Sequence, residues 1–203
     1  MLDIHIGVTD AALTQRAIAS LGSVEGINVH QITDVTNIYE LRKQGYAMGQ
    51  SPRVSFLDQD DEIVLPQNLK SMLAFDSGRP YFTNSEVVMA GSKRRLYPRD
   101  FKWEGDKSFI AGYVPHQLVV IPRAIAIEAV DTAYTRILSS DLRFLNSTDL
   151  AISFEIQLKY GWAYRPNLAY RWYNDTAAGM HNRNDSYVEI FNYYKDLLLK
   201  KPV

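Results

Sequence analysis

The chain has 203 residues, of which 46% are hydrophobic and 22% charged, a composition that suits one globular domain and excludes wholesale disorder, collagen-like repeats and coiled coil. It contains no cysteine, so disulfides, zinc–thiolate sites, iron–sulfur clusters and thiol nucleophiles are excluded. The net charge of −1 argues against a protein held to nucleic acid by its overall field, although a local basic patch stays open.

The N-terminal segment, MLDIHIGVTD, lacks the basic region with which a signal peptide begins. No apolar run approaches the ~20 residues that a membrane span needs, and the longest candidate, 118–127, is interrupted by Pro122 and Arg123. We therefore expect a cytoplasmic protein without a transmembrane segment.

Strand and helix patterns alternate through the first third of the chain. The strands are predicted at 2–8, 27–33 and 53–57, and the helices at 10–21, 37–48 and 66–75. Thr9 or Asp10 can cap the first helix, and Pro66 is well suited to open the third. This alternation predicts parallel βαβ units and an α/β fold, in which ligands bind beyond the carboxyl ends of the strands.

The rest of the chain has a different pattern. We predict a strand at 81–89, a basic hairpin and polar loop within 79–107, helices at 122–139, 147–160 and 187–200, an aromatic strand pair at 162–173, and a polar loop at 174–185. The strand pair is expected to turn at Pro166-Asn167, because proline and asparagine are frequent in turns.

An acidic turn, Asp58-Gln59-Asp60-Asp61-Glu62, follows the third predicted strand directly. Clustered carboxylates repel one another, and a divalent cation removes that penalty. Mg²⁺ and Mn²⁺ prefer such oxygen ligands and bind through one or two carboxylates together with substrate phosphates. The alternative is a solvated acidic turn that precedes the helix at Pro66.

Several segments, in this order, resemble glycosyltransferases of the GT-A type, family 2 in particular. They are NIYELRKQGYAMGQSPRVSFLDQDD with its continuation EIVLPQNLKSML, then HQLVVIPRAIAIEAVD, then NSTDLAISFEIQLKYGWAYRPNLAYRWY. Two departures stand out: the first strand ends Gly7-Val8-Thr9-Asp10, where the family has Pro and Asn, and Asp34 lacks the family's neighbouring acids.

The resemblance implies a fold and a division of the chain. The fold is a Rossmann-type, mostly parallel sheet flanked by helices, with a small β-hairpin region on the acceptor side. Residues 1–203 form a single domain, with a nucleotide-sugar-binding half at 1–78 and an acceptor-binding half at 79–203. A C-terminal loop, 174–186, would close over the donor.

The resemblance also assigns residues to a nucleotide-sugar donor, expected to be UDP-linked, and to Mn²⁺ or Mg²⁺. Asp60 would bind the metal, Asp61 would support the metal shell, and His181 would complete it. The remaining donor contacts are Asp58 to the ribose or sugar, Asp34 to the base, Val8 beside the nucleotide, and Arg171 and Arg183 to the diphosphate.

Asp149 matches the family's catalytic base, which takes the proton of the acceptor hydroxyl in an inverting transfer. An acid in the first turn of a helix also stabilises the helix dipole, so a structural role is open. His116, Lys93, Arg94, Arg95 and Trp172 are the candidate acceptor contacts. The basic residues could equally be a solvated hairpin, and the aromatic strand residues are more often core.

The main hypothesis is therefore a metal-dependent, inverting glycosyltransferase with a hydroxyl acceptor: a glycan, a lipid-linked saccharide, or a hydroxylated base in DNA, as in phage-type DNA glycosyltransferases.

A glycoside hydrolase also uses paired carboxylates, but an acidic turn with a loop histidine describes a metal site better. A sugar nucleotidyltransferase should carry a Gly-rich basic loop after its first strand, which Gly7-Val8-Thr9-Asp10 is not. A non-catalytic nucleotide- or carbohydrate-binding module is the alternative of a different class.

Overall fold

The computed structural model describes residues 1–75, 78–89, 92–95, 102–115, 118–139, 142–173 and 185–201, and these form eight strands and seven α-helices. The strands are β1 (Leu2–Gly7), β2 (Ile27–Ile32), β3 (Arg53–Phe56), β4 (Glu62–Ile63), β5 (Tyr81–Met89), β6 (Ser92–Arg95), β7 (Ile121–Pro122) and β8 (Ala163–Tyr173). The helices are α1 (Ala11–Leu21), α2 (Ile38–Ala47), α3 (Gln67–Ala74), α4 (Asp106–Ile110), α5 (Arg123–Ala133), α6 (Thr148–Lys159) and α7 (Asp185–Leu199).

The strands form two four-stranded sheets. The first has the order β2-β1-β3-β7, in which β1 is parallel to β2 and β3, and β7 is antiparallel to β3. The second has the order β4-β8-β5-β6, with a parallel pair, β5 and β8, between two antiparallel edges. A bridge between Tyr81 and Val120 connects the sheets. The predicted α/β fold, with its mostly parallel first sheet and its β5–β6 hairpin, is confirmed.

Local capping explains where the first helices begin. The Asp10 carboxylate accepts a hydrogen bond from the Leu13 amide at 2.9 Å, and Asn37 does the same for the Glu40 amide. Each cap satisfies one of the amides that have no partner within the first turn. Pro66 is the residue directly before α3, close to its predicted place.

Three predictions for the second half are wrong in detail. Residues 163–173 form the single strand β8 and no strand pair. The Asn84 side chain donates a hydrogen bond to the Pro166 carbonyl at 2.6 Å, and the β5–β8 register shifts on both sides of Asn84, so β8 passes the proline without turning back. The helix predicted to reach 139 ends as α5 at Ala133 and continues as a π-helical turn, Tyr134–Leu138. The short helix α4 was not predicted, and a 3₁₀ segment, Leu142–Ser147, precedes α6.

The hydrophobic core has two parts, one on each face of the first sheet. Ile4 and Ile6 pack on one face of the first sheet with α1 and α3, and Val54 and Phe56 of β3 pack on the other face with α2, α5 and α6. Burying one such side chain contributes roughly 1.5–3 kcal/mol. Asp3 and His5 alternate with the isoleucines along β1, and both are fully buried.

A buried polar network surrounds Asp3. Its carboxylate accepts hydrogen bonds from the Ser51 amide at 3.0 Å, the Ser51 hydroxyl at 2.6 Å and the Asn28 amide at 2.8 Å, and it forms an ion pair with Arg123. Burial acts to raise the pKa of Asp3, but the hydrogen bonds from Ser51 and Asn28 outweigh it and lower this pKa to about 2. Asp3 is therefore ionised at neutral pH.

His5, the other buried polar residue of β1, contacts the backbone of α2. Its Nε2 lies 2.6 Å from the Gly45 carbonyl oxygen. Burial, and then the neighbouring His30, lower the pKa of His5 to about 3, so its ring is neutral in the folded protein at neutral pH.

Gly49 lies against the Asp3 carboxylate, where a larger residue would not fit. Its φ of +82° is a left-handed conformation, and a Cβ at this position would lie 2.1 Å from Oδ2 of Asp3. Glycine is therefore required both for the backbone conformation and for the close approach to the carboxylate.

Gly49→Ala should consequently lower the free energy of unfolding by about 3–5 kcal/mol, measured by chemical denaturation. The matched control is Gly78→Ala: Gly78 also has a positive φ, +61°, but nothing lies within 4 Å of the added Cβ. The control should cost only the left-handed backbone conformation, about 1–2 kcal/mol. Equal losses in the two variants would contradict the packing role of Gly49.

Candidate active site

The loops after β1, β2 and β3 lie at one edge of the first sheet, because these strands are parallel. Residues 8–10 follow β1, and Thr33 and Asp34 follow β2. The acidic turn, residues 58–62, follows β3 and is separated from it by Leu57 alone. This is the edge at which α/β folds bind ligands. The predicted donor residues Val8, Asp34 and Asp58 and the predicted metal ligand Asp60 therefore all lie at the same edge.

Gln59 attaches the acidic turn to the loop after β1. Its side-chain oxygen accepts hydrogen bonds from the Thr9 amide at 2.8 Å and the Asp10 amide at 2.9 Å, and its nitrogen donates to the Thr9 hydroxyl. Asp58 and Asp60, on either side of it, are exposed. Sequence analysis assigned no role to Gln59, because a glutamine between two aspartates has no pattern that reveals a partner 50 residues earlier.

Asp61 attaches the turn to the second sheet. Its carboxylate is only 1% exposed and accepts a hydrogen bond from the hydroxyl of Tyr170, a fully buried residue of β8. Burial, and then the charges of Asp58, Asp61 and Asp60, raise the pKa of Tyr170 well above its usual range, so the phenol remains a hydrogen-bond donor. Asp61 thus anchors the turn, in addition to any part it plays in the predicted metal shell.

Ion pairs reinforce the same connection. Arg171 of β8 lies 2.9 Å from Glu86 and 3.4 Å from Glu62, measured between nitrogen and carboxylate oxygen. Arg16 of α1 pairs with Glu62 at 3.3 Å and donates a hydrogen bond to the Asp60 carbonyl. The predicted contact between Arg171 and a diphosphate would therefore compete with two carboxylates that already neutralise its guanidinium.

Asp149 lies in the first turn of α6 and is half-buried. It lines a pocket between α2, the first sheet and α6, which we call the Asp149 pocket. Its other wall residues are Arg42, Tyr46, Ser55, Phe56, Val119, Ile121, Ile152 and Ser153. The predicted catalytic base thus lines a small recess of mixed polar and apolar residues, with a volume of about 10 Å³ and room for roughly one water molecule.

Arg42 links this pocket to the acidic turn, and sequence analysis missed it. Its side chain is 8% exposed, its guanidinium carbon lies 4.1 Å from the centre of the Phe56 ring, and its Nη2 lies 3.9 Å from Oδ1 of Asp58. An arginine in a helix is usually solvated, so the burial of Arg42 could not be predicted from its position in α2. It brings the Asp58 and Asp149 regions into one electrostatic environment.

Val8 and Asp34 are the remaining donor candidates among the described residues. The Val8 amide donates to the Ile32 carbonyl at 2.9 Å, which continues the β1–β2 ladder by one residue. Asp34 is exposed, has the left-handed φ of +60°, and accepts a hydrogen bond from the Thr33 hydroxyl at 2.8 Å. A non-glycine residue in this conformation is uncommon and is frequently found at binding sites.

The acidic turn fits the predicted metal in its chemistry, since Mg²⁺ and Mn²⁺ prefer carboxylate oxygens. Within the described residues, however, no three His, Asp or Glu side chains come together as a ligand set. A cation at Asp60 would therefore need further oxygens, such as those of a diphosphate. The metal stays a prediction.

Several candidate residues lie outside what the structure describes. They are His116, His181, Arg183 and residues 174–184 of the predicted donor loop. The backbones of Lys93, Arg94 and Arg95 lie in β6 and that of Trp172 in β8, but the structure does not describe these four side chains. Among the described helices, none is long and apolar enough to cross a membrane.

No protein-family model matches the chain, and neither does any curated protein. Solved structures of S. aureus TarS do match it. TarS itself gives a TM-score of 0.64 at 11% identity over 100% of this chain and 40% of that one. TarS 1–349 in complex with UDP-GlcNAc gives a TM-score of 0.63 at 11% identity, and the match covers 100% of this chain and 67% of that one. TarS 1–349 in complex with UDP gives a TM-score of 0.57 at 12% identity, and the match covers 85% of this chain and 60% of that one.

At these identities the likeness establishes a shared fold. The chain spans 59% of the length of one TarS 1–349 structure and 40% of the longer TarS chain. Two of the matching structures carry UDP or UDP-GlcNAc.

Tyr170→Phe tests the anchor of the acidic turn. Removing the hydroxyl leaves the buried Asp61 carboxylate without this donor, and we expect the free energy of unfolding to fall by about 2–3 kcal/mol. Tyr81→Phe is the matched control, because Tyr81 is equally buried and its hydroxyl donates to the Met72 carbonyl, which Arg53 also contacts. The control should lose about 1 kcal/mol or less. Equal losses in chemical denaturation would contradict the anchor.

Proposed function

We propose that this chain is a metal-dependent, inverting glycosyltransferase of the GT-A type that transfers a sugar from a UDP-sugar to a hydroxyl acceptor. The observation that carries the proposal is the meeting of two acidic elements at one buried arginine. Arg42 lies 3.9 Å from Asp58 of the acidic turn and shares a pocket with Asp149. The fold shared with TarS in complex with UDP-GlcNAc supports the same conclusion.

In the proposed reaction, the acceptor oxygen attacks the anomeric carbon of the sugar, and the bond from that carbon to the diphosphate breaks. Asp149 takes the proton of the acceptor hydroxyl. Nucleophile and leaving group lie on opposite faces of the sugar, so the anomeric configuration inverts. A metal ion bound by Asp60, with Asp61 and His181 in support, would neutralise the departing diphosphate, and Asp58 would contact the ribose or sugar.

The nucleotide would lie along the sheet edge beyond β1 and β2. Asp34 would accept hydrogen bonds from the base, and Val8 would pack beside it. Arg171 and Arg183 are the proposed diphosphate contacts, and Arg171 would then have to exchange one of its carboxylate partners for phosphate. The loop 174–186 would cover the bound donor.

For the acceptor, we propose an anionic molecule that approaches the β5–β6 hairpin. Strand β6 places three consecutive basic residues, Lys93, Arg94 and Arg95, on the edge of the second sheet. An acidic glycan, a lipid-linked saccharide phosphate, or DNA with a hydroxylated base has the matching charge. Binding to such a strand should weaken with salt, and most steeply for DNA. His116 and Trp172 are the further proposed acceptor contacts.

Asp60→Asn tests the metal and the donor together. We expect UDP with Mn²⁺ to raise the melting temperature of the wild type by several degrees, since a ligand at 100 times its Kd contributes about 2.7 kcal/mol. The variant should lose this shift and keep its own melting temperature. Asp131→Asn, a change at an exposed aspartate of α5, should retain the shift. A full shift in Asp60→Asn would contradict the metal assignment.

Asp149→Asn tests the catalytic base. The substitution keeps the shape of the side chain and removes its proton-accepting charge, so turnover should fall by about 10²–10⁴-fold while UDP-sugar affinity stays within a few-fold. Turnover is measured as UDP release with a panel of glycan, lipid-phosphate and hydroxylated-DNA acceptors. Unchanged turnover would remove Asp149 from the chemistry. Donor binding without turnover in the wild type would favour a non-catalytic binding module.

A further inference from the structure

Gln59 connects two loops that share the proposed donor contacts between them. Its neighbours in the acidic turn, Asp58 and Asp60, are exposed, whereas the Gln59 side chain is half-buried and reaches the loop of residues 8–10. The proposed function places Val8 of that loop beside the nucleotide and the two aspartates at the sugar and the metal. One donor molecule would therefore have to contact both loops.

The carboxamide of Gln59 is largely occupied by this connection. Its oxygen accepts hydrogen bonds from the Thr9 amide at 2.8 Å, the Asp10 amide at 2.9 Å and the Thr14 hydroxyl at 3.3 Å, and its nitrogen donates to the Thr9 hydroxyl. An amide oxygen has two lone pairs, so its accepting capacity is filled. The Thr9 and Asp10 amides are in turn occupied by Gln59 and are not available to the phosphates of a donor.

Each of the two loops is also attached to the rest of the fold without Gln59. The Val8 amide donates to the Ile32 carbonyl at 2.9 Å, which ties the first loop to β2. The acidic turn is anchored where Asp61 accepts a hydrogen bond from the buried Tyr170. The contribution of Gln59 is therefore the position of one loop relative to the other.

Helix α1 holds the acidic turn at and beyond Asp60. Arg16 donates to the Asp60 carbonyl at 2.5 Å, and the Ser20 hydroxyl accepts a hydrogen bond from the Ile63 amide at 2.9 Å. These contacts involve the main chain of the turn and do not depend on Gln59. A variant at Gln59 should therefore keep the turn folded and change only how its first residues lie against the loop after β1.

We propose that Gln59 is a positioning residue of the donor site, which sets the spacing between the loop after β1 and the Asp60 carboxylate. This assignment rests on the proposed function, in which the nucleotide lies beside Val8 and its diphosphate shares a cation with Asp60. A ligand that spans two loops binds more tightly when the protein already holds them at the correct spacing. Gln59 itself touches neither the donor nor the cation.

Gln59→Met tests the assignment, because methionine has a similar length and lacks the carboxamide. The dissociation constant of UDP is measured by calorimetry with Mn²⁺ and with EDTA, and the ratio of the two values gives the gain in affinity due to the metal. We expect this gain to fall by about 10-fold or more, as is typical when a residue that orients a metal ligand is removed. The affinity for UDP in EDTA should stay within about twofold.

Gln59→Asn is the second variant, and it also serves if Gln59→Met does not fold. Asparagine keeps the carboxamide but is one methylene shorter, so it cannot span the same distance. The gain from Mn²⁺ should fall here as well, since the proposal depends on the reach of the side chain and not on its polarity alone.

Gln157→Met is the matched control. Gln157 is 5% exposed, accepts a hydrogen bond from the Trp162 amide at 3.2 Å and donates one to Asp106 at 2.7 Å. It too connects separate parts of the chain, but it lies roughly two turns along α6 from Asp149. This variant should lower the melting temperature and leave the gain from Mn²⁺ unchanged.

Three results would overturn the assignment and leave the proposed function standing. They are an unchanged gain from Mn²⁺ in both Gln59 variants, an equal loss of UDP affinity with and without Mn²⁺, and a similar fall in the gain for Gln157→Met. The first removes Gln59 from the donor site, the second limits it to the loop after β1, and the third attributes the effect to stability. If the wild type does not bind UDP in the presence of Mn²⁺, the proposed function itself fails, and this assignment fails with it.

Discussion

The buried ion pair between Asp3 and Arg123 joins two parts of the chain that lie 120 residues apart, and the placement of the candidate site depends on it. A buried carboxylate is tolerated only when its oxygens are satisfied, and here Ser51, Asn28 and Arg123 supply the donors. Arg123 opens α5, which packs on α6, the helix that carries Asp149. The pair therefore orients the proposed catalytic base relative to the parallel strands.

The acidic turn is held from two sides by contacts of different kinds. Gln59 bonds it to the loop after β1, and Tyr170 bonds it through Asp61 to β8. The backbone pairing of β4 with β8 continues this second connection. Because both sheets hold the turn, its two exposed carboxylates, Asp58 and Asp60, start from a defined backbone position. If the turn binds a ligand as proposed, little of the binding free energy is needed to order the turn itself, since the protein already holds it in place.

Predictions from sequence succeeded where the determining interactions are local. Asp10 caps α1 through the Leu13 amide three residues away, and the alternation of β1 follows from its own side chains. Predictions from sequence failed where a residue far away in the chain determines the local conformation. Pro166 predicted a turn, but Asn84, 82 residues earlier, bonds the Pro166 carbonyl and β5 keeps β8 extended. The π-helical turn after Ala133 likewise follows no pattern in its own residues.

The sequence by itself determined that carboxylates cluster after an apolar strand and that βαβ units bring them to one sheet edge, because strand and helix periodicities are properties of short segments. Only the tertiary structure decided which charges turn inward. Asp61 accepts a hydrogen bond from Tyr170, which lies 109 residues later in the chain. Arg171 is paired with Glu62 and Glu86, and Arg42 is buried against Phe56. The burial of a charge depends on partners that pack against it, and packing partners are not encoded in the neighbouring residues of the chain.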